Sequence, residues 1–375
     1  MRLGQPVGRG ITITQELLAK AQDIHERTLV VAAHTDLIGD VAERHSKGER
    51  AALARHAPDF RKAGIRCICD HVIGDTFETQ CFPSRDLLQA YHMRLQNPGL
   101  MKHAMKLMAY MLKDLDESAA DFALATSVAD IQTIAATGKI AVVLSTQGLT
   151  PLEDEPSLLE VYHRLGIRVL GLATTPGNAG VGSYKWNPQY GLSALGRAII
   201  DEARHLRMVV DVSAVSKPGF YDVAALIDGP FIAGNSNADG VCHYGGGLDD
   251  QQMDILGKHG GVMALIANNH CVSTKPQPTV ADFVDHIDYI AERIGIDHVA
   301  IGPDIVEDSF YPIETYRRMF AEIGFWSTTY PEGFGSHREL PNVTAELLRR
   351  GYGEGDIRKV LGENMLRVYR EVWGQ

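Results

Sequence analysis

Eight short apolar runs rich in β-branched residues recur along these 375 residues, and amphipathic helical stretches separate them. The runs are 29–33, 65–69, 140–144, 168–172, 208–212, 231–233, 262–266 and 298–302. Among the intervening stretches, 156–165, 195–206, 221–227, 249–259 and 280–294 carry apolar positions three and four residues apart, the spacing that lines one face of a helix. Strands joined through helices cross over between turns, so they pair in parallel and are buried on both faces. Eight such units predict a closed (β/α)8 TIM-type barrel rather than an open doubly wound sheet, as a single domain over residues 1–375.

Two stretches break this rhythm. From 84 to 115 runs a Leu- and Met-rich helical pattern, interrupted by Asn97-Pro98-Gly99, which reads as a helical insertion after the second strand. It serves as a lid, as a dimer-forming excursion or as packing against the barrel wall. After the last strand, 309–338 carries Tyr311, Tyr316, Phe320, Phe325, Trp326 and Tyr330. Loops that follow barrel strands face the barrel mouth, so this stretch is expected to cover an active site. A single helix over 356–373 is expected to close the chain.

The formal net charge of −11 opposes binding to nucleic acid or to an anionic bilayer, both of which need a basic field. The first residues lack the apolar core of a signal peptide, and no run of about 18 apolar residues spans a bilayer. Cys67, Cys69, Cys81, Cys242 and Cys271 form no CxxC pair, and their odd number reads as reduced thiols. The expected setting is the cytoplasm, and the expected partner is a small molecule.

The first apolar run ends in His34-Thr35-Asp36, and the last is followed by Asp304. Residues at the carboxyl ends of barrel strands share one mouth, so these three ionisable side chains are expected to meet. One imidazole and two carboxylates suffice for a catalytic metal that keeps an open position. His71 at the end of the second strand and His270 after the seventh are expected to face the same mouth. The loop from Pro176 to Ser183 is Gly-rich but lacks a Walker lysine and reads as a turn. Cys67 and Cys69 share one strand face, where packing is their expected role.

The order and spacing of several segments carry a resemblance over nearly the whole chain. They are His34-Thr35-Asp36, GKIAVVLSTQG with LGIRVLGLATT, GLSALGRAIIDEARHLRMVVDVSAVS, PFIAGNSNADGVC, VADFVDHIDYIAERIGIDHVAIGPD and LPNVTAELLRRGYGEGDIRKVLGENMLRVYREV. The chain resembles the renal (membrane) dipeptidase family, amidohydrolase-like barrels that bind two zinc ions. The resemblance implies a homodimeric hydrolase of a small amino-acid-derived or amide metabolite. It places His34 and Asp36 among the metal ligands, and Asp304 beside the metals and the substrate amine.

The same resemblance exposes departures. The glutamate that bridges both ions in the family falls on Gln147, the fifth-strand histidine on Ala214 and the sixth-strand histidine on Asn235. A substrate-gripping histidine and arginine fall near Thr174 and Gly246. A neutral amide cannot help offset two dications about 3.5–4 Å apart, and an alanine offers no donor. The expectation is therefore one divalent metal, zinc first, or none. Metal ligands would come from His34, Asp36, Asp304 and His71; Asp304 and His34 would be catalytic; Gln147, Thr174, Asn235 and His270 would contact substrate. The alternatives are a metal-free lyase, isomerase or cyclase that uses Asp304 and His34 as an acid–base pair, and a non-catalytic relative.

Overall fold

The computed structural model describes residues 13–75, 100–174, 177–305 and 329–374. Its strands are β1 (Val30–Thr35), β2 (Ile65–Gly74), β3 (Phe122–Leu124), β4 (Ile140–Gln147) and β5 (Ile167–Gly171), followed by β6 (Val209–Asp211), β7 (Ile232–Ala233), β8 (Val262–Leu265) and β9 (Val299–Ile301). All pair in parallel, in the order β1-β2-β4-β5-β6-β7-β8-β9. Each of the eight expected runs forms a strand of a nearly closed parallel barrel. The extra strand, β3, pairs with the first half of β4 while β5 pairs with the second half, so the two share one edge. Only Phe122 of β3 is fully buried, so it lacks the burial on both faces that marks the other strands.

Helices separate the strands, and their starts follow local chemistry. Ser193, Ser216 and Asp249 each accept a hydrogen bond from the backbone N–H three residues on, satisfying a donor that the first helical turn leaves free. Two buried clusters result from strand alternation. The larger lies between strands and helices. The smaller fills the barrel with small and β-branched side chains, Cys67 and Cys69 among them, and is floored by Tyr369 and Trp373.

The expected closing helix is three pieces: Glu354–Arg358, a π-helical turn at Lys359–Glu363, and Asn364–Trp373. The break has a physical reason. A Cβ at Gly362 would stand 2.2 Å from the Leu29 carbonyl oxygen, so the helix departs from regular geometry where it crosses the start of β1. Next to it, Asn364 donates to the carbonyls of Ile296 and Val299, both at 2.8 Å. The segment therefore bridges the seam between β1 and β9, which no ladder pairing joins among the described residues.

Of the two insertions, Leu100–Glu117 is a helix. It packs against the helix Ile38–Ser46 and against β2. Residues 84–99, and Tyr311, Tyr316, Phe320, Phe325 and Trp326 of the expected cover, lie outside the described residues. No described helix is long and apolar enough to cross a membrane.

His25 ties the first helix, Gln15–Arg27, to the rest of the fold. Its ring nitrogens lie 2.6 Å from the Ala63 carbonyl and 2.7 Å from the Thr344 hydroxyl. Burial lowers its pKa to about 4, although the Ala63 contact opposes this. The folded state thus holds His25 neutral, while an unfolded chain takes up the proton below about 6.5. Stability is expected to be full above pH 6.5 and to decline as the pH falls toward 4. Urea midpoints over that range test this, and His25→Gln should flatten the slope.

Candidate active site

Buried polar side chains at the strand ends build the mouth of the barrel. Asp70 of β2 accepts hydrogen bonds from the Thr35 hydroxyl at 2.8 Å and from the backbone N–H groups of Leu37 at 2.7 Å and Ile38 at 3.2 Å. This locks the end of β1, which carries His34, and the turn after it, which carries Asp36. Burial raises the Asp70 pKa to about 7, partly opposed by the Leu37 N–H.

Asp75, just beyond β2, does the same for two further loops. Its carboxylate accepts from Thr150 N–H at 2.9 Å and from the Asn178 amide at 2.7 Å, and its carbonyl accepts from the Thr174 hydroxyl at 3.1 Å. The Asn178 oxygen in turn accepts from Gly180 and Val181 N–H, so the Gly-rich loop is a side-chain-organised turn. At the end of β6, Asp211 accepts from the Ser213 hydroxyl at 2.6 Å and from Gly234 N–H at 2.9 Å. Ser213 then accepts from Asn235 N–H at 3.0 Å.

Side chains from the opening and closing strands converge inside this frame. Asp36 Oδ2 and Asp304 Oδ1 both lie 3.7 Å from His34 Nε2. The amide nitrogens of Gln147 and Asn235 lie 3.5 and 3.3 Å from the same atom. Asn235 and Asn268 each donate to Asp304 Oδ2 at 3.4 Å. His71 stacks on His34 with ring centroids 3.7 Å apart.

The charges at this point shape one another. Burial pulls the His34 imidazole toward neutrality, but Asp36 and Asp304 outweigh it and raise its pKa to about 9. Burial also acts on Asp36, where the His34 charge prevails and holds the carboxyl below its usual range. On Asp304 burial prevails, and the carboxyl is pushed up. Burial lowers His71 to about 3, with the His34 charge adding to the effect, so its imidazole is neutral. Asp304 also sits at φ 51°, a left-handed backbone that few residues other than glycine adopt.

The ligand atoms of His34, Asp36 and His71 lie within 4.8 Å of one another, a spacing that one cation can span. Asp304 adjoins them through His34. A second group with this spacing, His45, Asp114 and Glu117, is tied into structure: Asp114 accepts from Ala52 and Leu53 N–H and from Ser118. Where the resemblance sets imidazoles, Ala214 presents a methyl group at φ 61° and Asn235 an amide.

The other anticipated contacts sit differently. The Thr174 hydroxyl is engaged with Asp75, and the buried His270 ring packs edge-on against Tyr244 at 6.2 Å between centroids. Sequence reasoning passed over Asn268, Asp75 and Asp211. Asn268 had a visible signal, since it stands just beyond the β8 run and two residues before His270.

This chain belongs to the membrane dipeptidase family, peptidase family M19, whose model matches residues 18–374. It is 29% identical over 246 residues to "Dipeptidase tcpJ" of Claviceps purpurea, a match covering 65% of this chain and 53% of that protein. It is also 29% identical over 281 residues to a Klebsiella pneumoniae protein described as "Uncharacterized protein in pqqA 5'region", covering 72% of this chain and 95% of that one. The chain thus spans about half the length of the fungal dipeptidase. Among solved structures, the probable dipeptidase PvdM from Pseudomonas aeruginosa shares the fold at a TM-score of 0.77. That likeness has 20% identity and covers 96% of this chain and 99% of the other.

The frame can be tested apart from the chemistry. Asn178 cannot rotate its amide without breaking its contacts to Gly180 and Val181, so Asp75→Asn would set two amide N–H groups against each other. The expected loss is roughly 1–3 kcal/mol of stability, read from urea unfolding.

Proposed function

We propose that this chain hydrolyses an amide bond in a small amino-acid-derived metabolite, at a site with one divalent ion or none. One observation carries the reading: His34, Asp36 and Asp304, from opposite ends of the sequence, meet at a single point, ringed by the amides of Gln147 and Asn235. Supporting it is the family to which the chain belongs.

The donor set suits one ion better than two. His34, Asp36 and Asp304, with His71 alongside, would hold it, zinc being the first choice for imidazole with carboxylate. When bound, the ion supplies Lewis-acid polarisation of the substrate carbonyl. A second ion would have to rely on Gln147, Ala214 and Asn235, which bring neither negative charge nor imidazole.

The protein's own groups do the rest. Asp304 is the acid–base residue: burial raises its carboxyl toward neutral pH, where taking and returning a proton both become practical. Gln147 and Asn235 orient the substrate through their amides, which project to the same point as the catalytic groups. The 3.7 Å approach of His34 to Asp304 also favours a second reading, in which no ion binds and the two act as an acid–base pair for a lyase, isomerase or cyclase.

Elemental analysis of dialysed protein separates these readings. The first expects about one equivalent of zinc, iron or manganese together with release of amino acids from dipeptides. Two equivalents would overturn the single-ion site, whereas turnover without metal would favour the second reading. Asp304→Asn is expected to lower kcat by at least about a hundredfold while the fold persists by circular dichroism. Unchanged turnover in that variant would remove Asp304 from the chemistry.

A further inference from the structure

The strand ends on one side of the mouth carry rings. Tyr184 follows the Gly-rich loop and is laid against the end of β6, where its N–H donates to the Ala214 carbonyl at 3.0 Å and its neighbour Ser183 forms an antiparallel bridge with Val215. Tyr244 belongs to the loop after β7, and His270 to the short helix Asn269–Val272 after β8. The Tyr244 ring stands edge-on to both, with centroids 6.3 Å from Tyr184 and 6.2 Å from His270. Three consecutive strand ends thus supply one row of rings, in the edge-to-face geometry that aromatic pairs favour.

This row borders the reacting centre. Ala214 adjoins Ser213, which accepts from the Asn235 N–H, and the Asn235 amide reaches both His34 and Asp304. Asp304 and the Tyr244 hydroxyl both act on the buried thiol of Cys271.

Glycine makes the arrangement possible. A Cβ at Gly246 would stand 2.7 Å from Tyr244 Cε2 and 3.0 Å from Tyr184 Cε1, so any other residue there pushes the two rings out of place. The Gly246 backbone is itself held, since its carbonyl accepts from the Ser236 hydroxyl at 3.1 Å. Tyr184 and Tyr244 are half-buried, and each keeps surface open to solvent. A fixed, flat and uncharged surface of this kind gains from apolar area withdrawn from water and from contact between rings.

We infer that Tyr184 and Tyr244 form a substrate subsite that takes an aromatic side chain next to the amide bond, with Gly246 as the residue that lets the two rings stand there. The inference rests on the amino-acid-derived amide proposed above and names the class of its side chain. Asp304 and His34 address the amide; the rings hold what is attached to it.

Calorimetric titration of the metal-replete protein with L-alanyl-L-alanine, L-phenylalanyl-L-alanine and L-alanyl-L-phenylalanine reads the subsite. One of the two phenylalanine dipeptides is expected to bind roughly tenfold more tightly than the dialanine. Tyr184→Ala should cut that ratio to about threefold or less, while Tyr184→Phe, which keeps the ring and removes the hydroxyl, should retain it. Gly246→Ala crowds both rings and should cut the ratio as well, which gives an independent reading where Tyr184→Ala folds poorly. A ratio unchanged in Tyr184→Ala or in Gly246→Ala, or lost in Tyr184→Phe, overturns the inference, as does a wild type that binds the three dipeptides alike or binds none. Release of amino acids in the same samples bears on the hydrolase reading alone. Selective binding without release strikes that reading and leaves the subsite, while release without selectivity does the opposite.

Discussion

The hydrogen bonds from Thr35, Leu37 and Ile38 to the buried carboxylate of Asp70 are the contact on which the rest of the site depends. They join the end of β1 to the middle of β2 and settle the path of the turn that carries Asp36. Without them Asp36 would stand on a turn whose N–H groups, those of Leu37 and Ile38, lack an acceptor. With them the turn is a fixed platform, against which Asp304 can arrive from the far end of the chain. Asp75 and Asp211 repeat the device at other strand ends. Each is a short acidic side chain spent on loop N–H groups, so the mouth is rigid before any ligand enters.

That rigidity extends to the aromatic rim. Gly246 runs against the rings of Tyr184 and Tyr244 with no room for a side chain, and Asn237 ties down the chain after β8 that carries His270. Strain is concentrated where a ligand would sit, in the left-handed backbone of Asp304 and the enforced approach of two carboxylates to one imidazole. Stability is supplied by the surrounding frame, and chemistry is left to the few groups that the frame does not satisfy.

Legibility in the sequence followed the range of each interaction. The eight barrel strands were visible because burial on both faces demands continuous apolar runs, and the helices because one face must be apolar. β3 was invisible because two of its three residues are only half-buried, and the π-helical turn at Lys359–Glu363 was invisible because its cause is Leu29, at the other end of the chain. Of the site, His34, Asp36, Asp304 and His71 were found through their places at strand ends. The task of Asp70 was not legible, since a carboxylate that caps a neighbouring turn reads like any other acid at a strand mouth. Asp75 and Asp211 had no motif at all, because their roles are defined by partners that sequence distance conceals.

By itself the sequence determined the alternation of strand and helix, and with it the barrel and the pooling of strand-end residues at one mouth. It also determined which donor atoms are present, and so that Gln147, Ala214 and Asn235 bring no negative charge and no imidazole. Only the tertiary structure decided which amides face His34 and Asp304, and that the rings of Tyr184 and Tyr244 meet beside Gly246. Periodic burial is a local property that each segment carries in its own residues. The meeting of Asn235 with His34, 201 positions apart, depends on strand register and loop path, which exist only once the barrel has closed.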